Sequence, residues 1–164
     1  MDKVVPVRRS IRLRGFDYSS NNLYFVTLCV QDRKPVLSKV VGDRTFLSPY
    51  GRLADQLWMN LSNKFEAVGI DEYVIMPNHI HGIIIINAGR EYRAPTLGQI
   101  IAYYKHQSTK QCNLSVGAGS SRPFPKLWQR NYYEHIIRDE DDLNRIRNYM
   151  RNNPTNWTKD KLFP

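Results

Sequence analysis

Cysteine is scarce in this chain of 164 residues: there are two, Cys29 and Cys112. Neither has the Cys-x-x-Cys spacing of a zinc, redox or haem-attachment site. That argues against a disulfide-stapled scaffold and leads us to expect a reduced, cytoplasmic protein. Long apolar runs are missing as well. The longest, Ile83 to Ile86, is far below the about 20 residues that cross a bilayer, and nothing near the start resembles a signal h-region. No membrane partner is expected. Internal repeats and low-complexity tracts are absent. Acidic residues are the third shortage, with 15 Asp plus Glu against 24 Lys plus Arg, a formal net charge of +9 and a pI near 9.7. A balance of this kind favours a polyanionic partner. The same excess can also serve only solubility, so charge names a partner class and not a chemistry.

The length suits one domain with a real core. We read residues 1–20 as a basic N-terminal arm, 21–157 as the domain and 158–164 as a tail. Aromatic and β-branched residues mark a first strand over 23–30. Ser48-Pro49 then supplies an N-cap and a proline at the first helical position, and Leu53, Leu57, Leu61 and Phe65 recur every four residues, which predicts an amphipathic helix. Two strands, 70–76 and 80–86, flank Pro77-Asn78 and should pair antiparallel. Thr96-x-x-Gln99 has the form of a capping box opening a second helix that runs to about residue 114. Residues 116–123 form the clearest loop, and 127–137 read as a strand. Asp139 to Asp142 places four acids at the electropositive start of a third helix, whose apolar face carries Leu143, Ile146 and Met150. The order predicts an α+β fold of ferredoxin-like type, an antiparallel sheet with helices packed on one face plus a C-terminal helix. Such a layout hosts many functions, so the site must decide.

The most informative segment is Met76-Pro77-Asn78-His79-Ile80-His81-Gly82. Side chains alternate across a strand, so His79 and His81 project from one face while Ile80 points to the other. Two imidazoles so placed can chelate one divalent ion, although a bare His-x-His is more often a pair of surface or core histidines. The pair opens a very apolar strand, where polar residues need a reason. On the last helix, Tyr149 lies beside the Leu143, Ile146, Met150 stripe, with Asn153 four residues on and nearly on the same side. The plain reading is a boundary tyrosine and a helix-ending asparagine before Pro154. Tyr103, Tyr104, Tyr132 and Tyr133 also lie near basic residues; of the last two, alternation points only one inward, and either can be core or a base-stacking platform. His135 reads as a packing or hydrogen-bonding histidine with an accessory site role as the alternative. Basic residues placed to meet DNA phosphates are Arg8, Arg9, Arg12 and Arg14 in the arm, Lys105 and Lys110 on the second helix, and Arg122 and Lys126 in the loop.

Taken together, Met-Pro-Asn-His79-Ile-His81-Gly, then Leu127-Trp-Gln-Arg-Asn-Tyr-Tyr-Glu-His-Ile-Ile-Arg138, then Tyr149-x-x-x-Asn153-Pro154, resemble the single-tyrosine HUH transposases, and most closely their REP-associated tyrosine branch. The resemblance runs from about residue 23 to 157. It implies that His79 and His81 bind a divalent metal, Mg or Mn, that Tyr149 is the nucleophile, and that Asn153 stands where mobile members carry a metal-binding glutamine. It further implies a strand-transfer endonuclease that nicks and rejoins single-stranded or hairpin DNA through a 5′-phosphotyrosine link, as a monomer or homodimer. Two alternatives stay open at this stage. One is a non-catalytic nucleic-acid-binding module on the same scaffold, which needs no metal; the other is a metal-dependent phosphodiesterase using activated water, which forms no covalent product.

Overall fold

A computed structural model describes residues 22–87, 94–115, 124 and 126–164. Its main sheet has four strands, β1 (Asn22–Cys29), β4 (Val68–Ile75), β5 (His79–Ile86) and β6 (Tyr133–Ile137), in the order β4-β5-β1-β6. Every neighbouring pair is antiparallel. With α1 (Pro49–Met59) between the first two of these strands and α3 (Leu97–Leu114) before the last, this is the expected ferredoxin-like topology.

The helix starts were legible because their caps are local chemistry. The Ser48 hydroxyl accepts from the Gly51 amide at 3.0 Å, Thr96 and Gln99 form a reciprocal capping box, and the Asp139 carboxylate accepts from the Asp142 amide at 2.8 Å. The last of these opens α4 (Glu140–Asn152).

The sheet sorts its side chains by alternation. Tyr24, Val26 and Leu28 of β1 and Ile80, Ile84 and Ile86 of β5 face α1 and α3 in the larger core, with Trp58, Leu97, Ile100 and Tyr104. Gly82 sits where a Cβ would come within 2.4 Å of the Trp58 ring, so only glycine leaves that indole its place against β5. On the opposite face, Phe25 and Ile83 pack with Ile137, Leu143, Ile146 and Met150. That smaller core seats α4 against the sheet.

Three expectations need correction. The strand foreseen over 127–137 is formed only from Tyr133; before it, Trp128 makes an isolated bridge to Val30. The cause is Lys105, whose ammonium donates to three successive carbonyls, those of Gln129, Arg130 and Asn131. Carbonyls along a strand alternate in direction, so three in a row on one donor require a turned chain. The helix face foreseen as Leu53, Leu57, Leu61 and Phe65 is rotated: Ala54, Trp58 and Leu61 are the buried line. A four-residue repeat drifts around a helix of 3.6 residues per turn, and the helix is interrupted at Asn60 before a short α2 (Leu61–Lys64), leaving Phe65 extended. Finally, β2 (Ser38–Val41) and β3 (Arg44–Leu47) form a separate hairpin not anticipated from sequence. Its turn is made by Gly42, at a φ of 64°, a conformation glycine adopts without strain.

Candidate active site

β5 delivers both histidines to the α4 side of the sheet, where they are buried. Register fixes their neighbours: Thr27 lies opposite His81 and Cys29 opposite His79. His79 Nδ1 lies 2.8 Å from Asn78 Oδ1, while the Asn78 amide nitrogen donates to the Leu162 carbonyl at 2.7 Å. An amide oxygen only accepts, so His79 must carry its proton on Nδ1 and turn a lone pair outward from Nε2. His81 Nδ1 lies 2.8 Å from the Thr27 hydroxyl, which serves either tautomer because it both donates and accepts.

The two Nε2 atoms converge to 3.0 Å. A separation of about 3.0 Å is what two ligands about 2.1 Å from one ion subtend at a right angle, the arrangement of neighbouring octahedral positions. Burial pulls His79 down to about 4, against the opposing charge of Asp160. It takes His81 well below the ordinary histidine range, and the proximity of His79 adds to that. Both imidazoles are therefore neutral near pH 7, the form that binds a metal.

The C-terminal residues close the other side. Asp160 presents a carboxylate oxygen to the two imidazoles, with the three ligand atoms within 4.8 Å of one another. Asn153 donates to Asp160 Oδ2 at 3.0 Å, and its own Oδ1 is buried with no hydrogen-bond partner. Two nitrogen donors, a carboxylate and an orphaned amide oxygen form a set whose chemistry fits a divalent cation. Asn153 keeps helical geometry, with φ −61° and ψ −43°, despite the proline that follows it. That geometry keeps it on the same side as Tyr149.

The Tyr149 hydroxyl lies 3.2 Å from His81 Nε2. Its ring stands edge-on to Phe25, whose own ring stacks on His81. Burial raises the Tyr149 phenol above its ordinary value; the Asp160 charge adds to the rise, and the Asn153 side chain opposes it. The tyrosine is nonetheless 47% exposed and lines an open cleft of about 1020 Å³. The family model for IS200-like transposases matches residues 18–153, most of the chain.

This chain is an IS200-like transposase family member.

Among related proteins, one from Haemophilus influenzae without an assigned function is 36% identical over 95% of this chain and 93% of its own. Another from the same organism, described as a REP-associated tyrosine transposase, is 28% identical over 84% of this chain and 73% of its own. Among solved structures, a REP-associated tyrosine transposase bound to a REP hairpin superposes with a TM-score of 0.65 at 18% identity, over 92% of this chain and 77% of that one. A protein from Deinococcus radiodurans described as a transposase gives 0.53 at 14% identity, over 87% and 97%. At such identities the two structures speak for the fold alone.

The structure thus gathers His79, His81, Tyr149 and Asn153 at one site, the last three lining the cleft and His79 buried behind His81. Of the expected DNA-contacting residues and His135, none that the structure describes lines that cleft. His135 Nε2 pairs with Asp142 at 2.7 Å, holding the carboxyl of Asp142 below its usual range, and so braces the start of α4. Lys105 spends its ammonium on the three carbonyls, and burial lowers it to about 8. Lys110 is exposed on α3, in the other layer, and Lys126 borders a separate recess with Asp32 and Lys34. Arg8, Arg9, Arg12, Arg14 and Arg122 lie outside the described residues. Of the competing tyrosines, Tyr104 is buried and donates to the Ala54 carbonyl at 3.0 Å, and Tyr103 packs edge-on to Phe65.

Sequence reasoning missed Asp160, Thr27 and Asn78, and it missed the cations that line the cleft, Arg145, Lys159 and Lys161. Asn78 stood beside His79 and was readable. Thr27 is found only through strand register, and Asp160 carried no periodic or motif signal at all.

Proposed function

We propose that this transposase-family protein nicks and rejoins single-stranded or hairpin DNA, with Tyr149 as the nucleophile and His79, His81 and Asp160 as ligands of a divalent cation, Mg or Mn, joined by Asn153. The observation that carries the reading is the Tyr149 hydroxyl 3.2 Å from His81 Nε2, at the open end of a pair of convergent, neutral imidazoles. The hairpin-bound structural neighbour and the formal charge of +9 support DNA as the partner. No helix among the described residues is long and apolar enough to cross a membrane, and both cysteines are free thiols, in keeping with work on DNA in the cytoplasm.

In this mechanism the Tyr149 oxygen attacks the scissile phosphorus. The phenol O–H bond and the bond from phosphorus to the 3′ oxygen break as the new bond forms, and the 3′ oxygen leaves as a hydroxyl by taking up one proton for the one the phenol gives up to solvent, so the exchange is proton-neutral. The 5′ phosphate stays on Tyr149. Attack by a 3′ hydroxyl on the phosphotyrosine reverses the exchange, so religation needs no nucleotide cofactor. Tyrosine at its ordinary pKa of about 10 is a weak nucleophile, and burial here weakens it further. A bound divalent cation supplies the positive charge that stabilises the phenolate and offsets charge on the phosphate in the transition state. Asn153 favours the phenolate. Asn78 and Thr27 fix the ring orientation of His79 and His81, a role that outer partners of ligating histidines commonly fill.

The test is a denaturing-gel assay for covalent protein–DNA adducts on labelled hairpins with Mg or Mn. The expected result is an adduct in the wild type that is lost in Tyr149→Phe and with chelator. Cleavage that survives in Tyr149→Phe without an adduct means hydrolysis instead, and binding without cleavage on any substrate means a non-catalytic module.

A further inference from the structure

We infer that Tyr133 is the stacking platform for one unpaired nucleobase beside the phosphate that Tyr149 attacks. The inference rests on the proposed reaction for the identity of the ligand and on separate geometry for the subsite. Thr27 is the Cα partner of both His81 and Tyr133, so His81, Thr27 and Tyr133 form a row across β5, β1 and β6, all on the face that lines the cleft. At about 4.8 Å between strands, Tyr133 stands about 10 Å from His81 along that row.

Tyr133 and Tyr149 are braced on one ring. Phe25, buried beneath them, meets Tyr133 edge-on at 6.3 Å and Tyr149 edge-on at 6.2 Å. The phenol of Tyr133 is 58% exposed, held in place from below while its surface opens into the cleft. An aromatic face so fixed stacks any base at little cost in side-chain entropy. Gln129 and Asn131 line the same cleft, and neutral amides of this kind offer donors and acceptors suited to base edges. The adjacent Tyr132, just ahead of β6, also borders the cleft, but it packs against the larger core with the Lys105 ammonium 5.2 Å from its ring centre. A base within a duplex is already stacked on both sides, so the platform takes only an unpaired one and selects for single strands flanking a hairpin.

The test uses 2-aminopurine walked through the single-stranded flank and the stem of a hairpin, bound to the Tyr149→Phe protein so that no cleavage intervenes. The expected result is fluorescence quenching at a flank position and none in the stem. Quenching should persist in Tyr149→Phe/Tyr133→Phe and vanish in Tyr149→Phe/Tyr133→Leu, with binding weakened by about 5-fold to about 150-fold. Because Tyr133 is exposed, Tyr133→Leu should keep the wild-type Tm, and in the Tyr149 background it should raise KM for adduct formation more than it lowers kcat. No protein-dependent quenching at any position, or quenching unchanged by Tyr133→Leu, overturns the inference. Adducts formed at the full rate by Tyr133→Leu sink the platform and leave the tyrosine chemistry standing; Tyr133-dependent quenching in a protein that forms no adduct does the reverse.

Discussion

The two faces of the sheet are built from the same strands and do different work. Toward α1 and α3, the side chains form one apolar cluster around Trp58 and Tyr104. Toward α4, a smaller cluster around Phe25 and Ile83 gives way within one or two residues to Thr27, His79 and His81. Of the buried polar side chains, Thr27, Asn78, His79, His81 and Asn153 belong to the site, and Ser38 and Ser108 lie elsewhere. Burying polar groups costs stability unless they are partnered. The larger core therefore carries the cost of holding neutral imidazoles and an orphaned amide oxygen on the other face.

Truncation at the centre of the larger core should have the greatest effect. Trp58→Ala is expected to lose about 3–5 kcal/mol of stability in urea unfolding. A loss no larger than that of a truncation beneath α4 would overturn the division of labour. Adjacent residues on β5 then separate the two faces directly. Ile83 and Ile84 are both fully buried, one under α4 and one in the larger core, and either change to Ala should cost about 2–4 kcal/mol. Ile83→Ala should also cut adduct formation per folded molecule, because it loosens the seat of the helix that carries Tyr149, whereas Ile84→Ala should not. Equal rates in the two variants would mean that α4 does not depend on that small core for its position.

Asp160→Asn keeps the shape and removes the charge, so Mn binding followed by calorimetry should weaken by about 10-fold, with the fold intact. Unchanged affinity would assign the third ligand position to Asn153 alone. The smallest effect is expected at the far side of α4, where Arg147 makes two hydrogen bonds to Asp71, at 3.0 and 2.6 Å, and Arg151 pairs with Glu72. The Arg147 guanidinium holds the Asp71 carboxyl below its usual range. The stability it contributes is thus complete above the ordinary carboxylate pKa of about 4 and is lost as the pH falls through the depressed folded value. Asp71→Asn should cost about 1 kcal/mol near neutral pH and flatten the acid limb of the stability profile; a limb of unchanged slope would place its origin elsewhere.

Features encoded over a few residues were legible in sequence. The caps at Ser48, Thr96 and Asp139, the alternation that puts both histidines on one face, and the Leu143, Ile146, Met150 stripe all follow from local periodicity or local hydrogen bonding, and the family followed from three such motifs in order. What escaped was set by distant contacts. The chain before Tyr133 is bent by a lysine more than twenty residues earlier, and its aromatic composition alone suggested a longer strand. Asp160 reaches the histidines because Trp157 packs on His79, with ring centres 5.8 Å apart, and because the Leu162 carbonyl is tied to Asn78; neither contact leaves a pattern along the chain. The basic residues were the least informative, since Lys105 proved to be an internal strut and the cleft's own cations came from α4 and the C-terminal segment.

The pairing of β5 with β1 has a consequence for quality control. A slip of one residue between these strands would exchange the faces of every side chain on β5. It would drive both imidazoles against Trp58 and leave Ile80 and Gly82 to line the cleft. A mispaired molecule therefore lacks the convergent imidazole pair altogether, and any chemistry that pair supports becomes a property that only the correctly threaded chain can have.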